Sequence, residues 1–279
     1  MPNENLLVTN HLEILSPSEV KAIVKSVSVN YGFDLSQFST TFLIRRILHS
    51  IQNNKITNVD ELLHRLYSHD FYNTFLSDFV VDGNDFFRDE ASWNAIKNIV
   101  LQIQAEKQKC RVWLPKSMAG EDLYTLLVLL DDIDCLQTTQ VLASIMSKLR
   151  IDYIKTGIYN GKNKDIDKIN FNRVIHNKPY ESYFISQGTT LKTNSDLINR
   201  ATFLYSQPQP EDVDLIIFRN YLIYLQNEYQ MGQLSFILKS LNNNGYLIIG
   251  INEQIQNPTL FHLKVFNPTE NIFQKQQFL

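Results

Sequence analysis

The residues that most often mark a reactive or metal-bearing site are scarce in this sequence. Its 279 residues include two cysteines, Cys110 and Cys135, with no metal or redox spacing between them, so they read as buried, inert thiols. Of the six histidines, His64 and His69 are five apart, which puts them on different helix faces rather than the shared face that ligands at i and i+4 need. No metal site is expected. No run approaches the roughly 20 apolar residues of a membrane helix. Residues 1–16 also lack the basic-then-apolar layout of a signal peptide, so a cytoplasmic protein without membrane insertion is expected. A formal charge of −3 gives no electrostatic reason for nucleic-acid binding. No internal repeat is visible.

What the chain does have is a core-forming composition, with 44% hydrophobic residues over a length sufficient for two domains. Residues 1–100 read as helical. Ser16-Pro17-Ser18-Glu19 resembles a helix start leading into Val20, Ile23, Val24 and Val27. After a break at Tyr31-Gly32-Phe33-Asp34, Phe38, Phe42, Leu43, Ile47, Leu48 and Ile51 recur at helical spacings, and Arg45, Arg46 and His49 form a basic group on that helix. Val59–Tyr67 and Phe71–Phe79 read as two further short helices. A helix through Trp93, Ile96, Ile99 and Val100 then runs to a charged connector, Glu106–Lys109.

From Cys110 strands alternate with helices. Arg111–Leu114, Gln140–Ile145 and Ala201–Tyr205 are candidate strands, with helices at Gly120–Leu130 and Ser147–Lys155, the pattern of βαβ units and a parallel sheet. Residues 159–180 are polar and Asn/Lys-rich and read as an insert rather than core. Phe184–Ser186 and Tyr246–Ile251 are further strand candidates, Tyr229–Leu241 a helix, and Phe261–Phe266 with Ile272–Lys275 a terminal antiparallel hairpin.

The most informative stretch is Val213–Leu225, VDLIIFRNYLIYL. Its apolar first half suits a strand buried on both faces of a parallel sheet. Arg219 and Asn220 follow directly, at the carboxyl end where ligands of open α/β sheets sit.

The fragments Phe86-Phe87-Arg88, Arg111-Val112-Trp113, Gly120-Glu121-Asp122 with Tyr124, Thr156-Gly157-Ile158-Tyr159, Phe218-Arg219-Asn220 through Tyr224, and Gly245-Tyr246-Leu247 ending at Gly250 and Glu253 occur in an order that resembles the CheR-type chemotaxis receptor methyltransferases. The resemblance covers nearly the whole chain. It implies a small all-helical N-terminal domain (1–100) ahead of an α/β, Rossmann-like methyltransferase domain (101–279) that esterifies receptor glutamates with S-adenosylmethionine. By the same resemblance, Arg88 meets the methionine end of the cofactor and Tyr224 lies near the transferring methyl, both as catalytic residues. Asn84, Glu121, Gln207 and Asn220 join Arg88 around the cofactor. Arg45, Arg46 and His49 are implied to dock an acidic helical partner such as a chemoreceptor cytoplasmic region.

Each of these residues also has a plainer reading. Arg88 could pair with Asp85 or Asp89, Asn220 could cap the next element, Tyr224 could be core, Glu121 could be an N-terminal helix acid, and the basic group could be a solvated face.

The sequence also departs from the resemblance. Leu114-Pro115-Lys116-Ser117-Met118-Ala119 stands where a small, glycine-containing loop is expected, and Pro115 has no N–H to offer a ligand. Ile145 falls where an acid normally grips ribose hydroxyls. Asp82 and Asn84 replace Asn and Thr, and Gln207-Pro208 replaces Asn-Leu. Two functions follow as expectations: an S-adenosylmethionine-dependent protein-glutamate O-methyltransferase with weakened cofactor binding, or an inactive scaffold that needs no cofactor.

Overall fold

A computed structural model of the chain describes residues 15–81, 85–116, 119–205 and 209–277. These fall into two compact units, Met1–Val80 with Tyr224–Tyr229, and Val81–Ile223 with Gln230–Leu279.

The first unit is helical, with α1 (Pro17–Tyr31), α2 (Thr40–Asn53), α3 (Val59–Arg65) and α4 (His69–Asp78). Its boundaries follow from capping chemistry. Ser16 accepts the Glu19 N–H while Glu19 accepts the Ser16 N–H at 2.7 Å, a reciprocal box that satisfies two orphan donors. Gly32 closes α1 in the left-handed region, at φ 65°. Ser39, Asn58 and Ser68 cap the other three helices with side-chain oxygens. Inside lie Ile23, Val27, Phe38, Ile47, Leu62 and Phe75, all fully buried. Asp78 ties α2 to α4, since its carboxylate accepts from Ser50 and Asn54. Residues 224–229 are joined to this unit through Ser39 N–H to the Tyr224 carbonyl at 2.7 Å and Gln226 N–H to the Gln37 carbonyl at 2.9 Å.

The second unit carries α5 (Glu90–Lys107), β1 (Cys110–Leu114), α6 (Glu121–Asp132), β2 (Thr139–Ser144), α7 (Lys148–Thr156), β3 (Ile158–Asn160), α8 (Lys164–Val174), β4 (Phe184–Gln187), β5 (Thr190–Thr193), α9 (Ser195–Ile198), β6 (Ala201–Leu204) and β7 (Val213–Phe218); α10 (Asn227–Leu238), β8 (Leu241–Ile249), β9 (Leu263–Asn267) and β10 (Ile272–Lys275) complete it. The main sheet has the order β6-β2-β1-β7-β8-β10-β9. Its first five strands are parallel, and β10 and β9 form the antiparallel hairpin expected from the sequence. This is the mixed α/β architecture that the sequence pattern predicts. All six residues of β7 are buried, as a central parallel strand requires. Helix α5 continues through Lys107, absorbing much of the expected connector, and puts Trp93, Ile96, Ile99, Val100 and Ile103 into this unit's core.

One expectation is corrected. The polar stretch 159–180, read as an insert rather than core, contains α8, which turns Asp167, Phe171 and Val174 inward at helical spacing. Phe171 and Val174 join the core cluster because the helix's polar residues occupy its outer faces. Strand β4 pairs with β5, and β5 with β3, in a separate antiparallel sheet rather than in the main one.

Candidate functional site

From β1 the main sheet grows outward one way through β2 to β6, and the other way through β7 to β8. The reversal falls between β1 and β7, and the crevice outside the carboxyl ends of such a pair is the ligand position of open α/β sheets. The residues leaving β1, β2, β7 and β8 there define the site.

Beyond β7, the Arg219 side chain is fully buried and hydrogen-bonds within the fold through Nη2 alone, while Nε and Nη1 have no hydrogen-bond partner among the described residues. Its guanidinium donates to Asp89 at 2.6 Å and to the Arg88 carbonyl at 2.9 Å, lies 3.5 Å from Asp122, and sits 5.1 Å from the centre of the Trp93 ring. Burial pushes the Asp122 carboxyl up despite the cation beside it.

The turn carrying Arg88 is held equally firmly. The Phe86 N–H donates to Asp167 at 2.8 Å, the Phe87 N–H to Thr125 at 3.1 Å, and the Trp93 indole N–H to the Arg88 carbonyl at 3.0 Å. Those bonds fix Phe87 and Asp89 at φ 56° and 59°, a region that bulky residues seldom adopt. Asp167 has its carboxyl raised to about 7, mainly by burial. Of the two acids considered as partners for Arg88, Asp89 pairs with Arg219 and Asp85 accepts from Asn163.

Asn220 takes φ 55°, a left-handed conformation that Asn tolerates better than most residues. Its position is set by Glu253, a buried carboxylate that accepts the N–H groups of Gly250 at 2.6 Å, Asn220 at 3.0 Å and Ile223 at 3.2 Å. Burial raises the Glu253 carboxyl, and these donors oppose the rise. Glu121 opens α6 as a buried first-turn acid whose charge reaches the Tyr159 phenol. Arg88, Glu121 and Asn220 therefore all belong to elements that meet at this edge.

The β1 and β2 ends look different. Pro115 is buried, and Lys116 extends its ammonium to 5.4 Å from the centre of the Tyr221 ring. Desolvation alone lowers the Lys116 pKa to about 8. Ile145 is buried, its N–H bonded to the Leu204 carbonyl at 3.1 Å, so an apolar side chain stands at the end of β2. The buried polar residues that follow it are Ser147 and Arg150, whose guanidinium lies over the Tyr153 ring at 4.4 Å.

Other expected residues belong to the first unit or lie outside the described residues. Tyr224 belongs to the first unit, where its ring stacks on Phe42 at 4.4 Å. In that unit Arg45 is exposed, Arg46 donates to the Asp78 carbonyl at 2.8 Å from Nε, and His49 shares a 2.9 Å hydrogen bond with Asn53. Asn84 and Gln207, with Asp82, Ser117, Met118 and Pro208, lie outside the described residues. Sequence reasoning did not single out Asp167 or Thr125, and it quoted Asp122 only within the Gly120-Glu121-Asp122 fragment; all three hold the site from behind. The available signal was an acid, Asp167, four residues before Phe171 on a helix face otherwise turned to the core. A cavity lined by Lys107, Asp214 and Gly245 lies at the amino ends of the strands, and its Lys107–Asp214 pair is closed at 2.5 Å.

The family model described as CheR methyltransferase, SAM binding domain, matches residues 83–268. A chemotaxis protein methyltransferase of Listeria monocytogenes is 25% identical over 248 residues, covering 86% of this chain and 92% of that protein. One from Campylobacter jejuni is 22% identical over 264 residues, covering 94% and 98%. Among solved structures, a Burkholderia thailandensis methyl transferase homologue bound to S-adenosyl-homocysteine aligns over 96% of this chain and 76% of its own, at 8% identity and a TM-score of 0.41.

Proposed function

Because this chain belongs to the CheR methyltransferase family, we propose that it is a chemotaxis protein methyltransferase homologue with a weakened hold on S-adenosylmethionine. Its acceptor in this reading is a glutamate carboxylate on an acidic helical partner, such as a chemoreceptor cytoplasmic region. The observation that carries the reading is Ile145, buried at the carboxyl end of β2.

S-adenosylmethionine, when bound, supplies an electrophilic methyl group. The edge suits that molecule along Arg88, Glu121 and Asn220 and does not suit it at Ile145. An apolar side chain accepts nothing from ribose hydroxyls. Ser147 offers a neutral hydroxyl and Arg150 only donors, so neither replaces a carboxylate. One lost charge-assisted hydrogen bond is worth roughly 1.5–3 kcal/mol, or about ten- to a few-hundred-fold in Kd.

The acceptor chemistry asks little of the protein. A glutamate carboxylate is ionised and nucleophilic at neutral pH, so no general base is needed and orientation carries the rate. The chain's own contribution is accordingly geometric: Glu253 fixes the loop of Asn220, and Arg219, Thr125 and Asp167 fix the turn of Arg88.

A second reading, a protein-binding module without catalysis, is favoured by the mutual engagement of charges at the edge. Arg219 is paired with Asp89 and Asp122, and Lys116 rests on Tyr221. Calorimetric titration with S-adenosylhomocysteine tests both readings. A dissociation constant well above the low-micromolar range, yet measurable below millimolar ligand, is expected of a weakened site. A low-micromolar value overturns the weakened site, and no binding at millimolar ligand leaves only the module.

A further inference from the structure

Lys116 and Tyr221 come from the two strands that flank the reversal of strand order. Lys116 is the second residue beyond β1, and Tyr221 the third beyond β7. Their contact therefore spans the mouth of the crevice from one wall to the other. The Tyr221 ring is 1% exposed, so its face is not open to a solute, and the ammonium of Lys116 lies over it at 5.4 Å. An aromatic face in a crevice of this kind attracts cations through its quadrupole. Among the described residues Lys116 makes no ion pair, and desolvation is the sole influence on its proton affinity. It is a lone cation directed at a cation-binding surface.

The donor expected at this edge is itself a cation. S-adenosylmethionine carries a sulfonium, whereas the S-adenosylhomocysteine left after transfer carries a neutral thioether. We propose that the Lys116 side chain is a tethered occupant of the onium-binding face of Tyr221, which makes the edge discriminate against the sulfonium and in favour of the thioether. The proposal rests on the reading of this edge as the S-adenosylmethionine site. It adds a residue that sets which of the two forms is held. Lysine at this position acts twice, by covering the ring and by placing a like charge beside the incoming sulfonium. At about 5 Å and an effective dielectric near 20, like charges change a binding ratio by about a few hundred-fold.

The test measures both ligands by calorimetry at pH 7 on the full chain, as wild type, Lys116→Met, Lys116→Arg and Lys116→Ala, with thermal melts to establish folding. Lys116→Met removes the charge and keeps an apolar stem. It is expected to lower the preference for S-adenosylhomocysteine over S-adenosylmethionine by at least ten-fold, while Lys116→Arg keeps the wild-type preference. Lys116→Ala uncovers Tyr221 and is expected to tighten S-adenosylmethionine most of all. Lys155→Met, which removes a comparable cation from the Phe203 ring, serves as a control and leaves the ratio unchanged.

An unchanged ratio in folded Lys116→Met overturns the proposal. If wild type binds both ligands weakly and folded Lys116→Met and Lys116→Ala leave their ratio unchanged, the proposal falls while the weakened-site reading stands; no binding of either ligand at millimolar concentration by wild type or Lys116→Ala overturns both. If wild type holds S-adenosylhomocysteine at low micromolar concentration and only Lys116→Met admits S-adenosylmethionine, the weakened-site reading falls and the role of Lys116 stands.

Discussion

Replacing Glu253 by alanine withdraws two carboxylate oxygens from three backbone donors at once. Gly250 N–H loses a 2.6 Å bond inside the core, Asn220 N–H a 3.0 Å bond at a half-buried position, and Ile223 N–H a 3.2 Å bond nearer the surface. An orphaned buried donor costs roughly 1–3 kcal/mol, the upper part of that range applying to Gly250 and the lower to Ile223. Removing the carboxylate also recovers its desolvation cost, the dominant influence that raises its pKa. The balance is a destabilisation of about 2–4 kcal/mol for Glu253→Ala, and about half that for Glu253→Gln, which keeps one acceptor oxygen. Urea unfolding followed by tryptophan fluorescence reads the right unit, because both tryptophans, Trp93 and Trp113, lie in the second one. The raised carboxyl also fixes a sign. Its contribution is complete below the unfolded value of 4.5 and is lost as pH rises through the higher folded value, so Glu253→Gln should flatten stability over that interval. A Glu253→Ala protein within about 0.5 kcal/mol of wild type, the range of an ordinary surface substitution, would refute the view that this carboxylate holds the Asn220 loop.

Ile145→Asp restores an acceptor at the end of β2 and should tighten S-adenosylhomocysteine by about ten-fold or more in calorimetry; an unchanged Kd in a folded variant places the ribose contact elsewhere. Asp167, with its carboxyl near 7 against an unfolded value of 3.8, stabilises fully below about pH 4 and loses that contribution as pH rises through about 7. Asp167→Asn should therefore remove a pH-dependent slope on the order of 2–4 kcal/mol across that window in urea titrations, and an unaltered slope would count against the assignment. Arg45→Glu should leave stability within about 0.5 kcal/mol, as for other exposed positions, while weakening capture of an acidic helical peptide. By contrast, Arg46→Ala should cost about 1.5–3 kcal/mol, because its guanidinium is bonded to the Asp78 carbonyl. Equal stability of the two variants would contradict that division of roles.

Much of the fold could be read from the chain because its signals are local. The Ser16–Glu19 box, the apolar run of β7 and the turn between β9 and β10 each declare themselves within a few residues. Helix α8 was hidden because only Asp167, Phe171 and Val174 of its residues face inward, too few to lift its polar composition. The small sheet was hidden for a topological reason: Phe184 begins a strand either way, and only its pairing with Thr193 assigns it to a separate sheet. At the site, Arg219 was legible as a position but not as a role. Its partners Asp89 and Asp122 are 130 and 97 residues away along the chain, and no spacing rule joins them.

That distinction decides which residues inform on ligand binding. Arg219 stitches three segments together, Glu253 fastens a loop, and Thr125 and Asp167 hold the Phe86–Phe87 turn. Each would be retained for the fold's sake in a protein that binds nothing at this edge, since removing any of them orphans buried polar groups. Their presence is thus compatible with either function. Ile145 and Lys116 are different: Ile145 gives its main-chain N–H to the network and its side chain to the apolar core, and Lys116 makes no ion pair among the described residues. A carboxylate at 145 or a glycine at 116 would serve a nucleotide-like ligand without breaking any of the hydrogen bonds that organise the turns. In the proposed reading, these are the two side chains that bear on the ligand. On that proposal both act in one direction, Ile145 by offering no acceptor to a ribose and Lys116 by placing a cation against the Tyr221 ring.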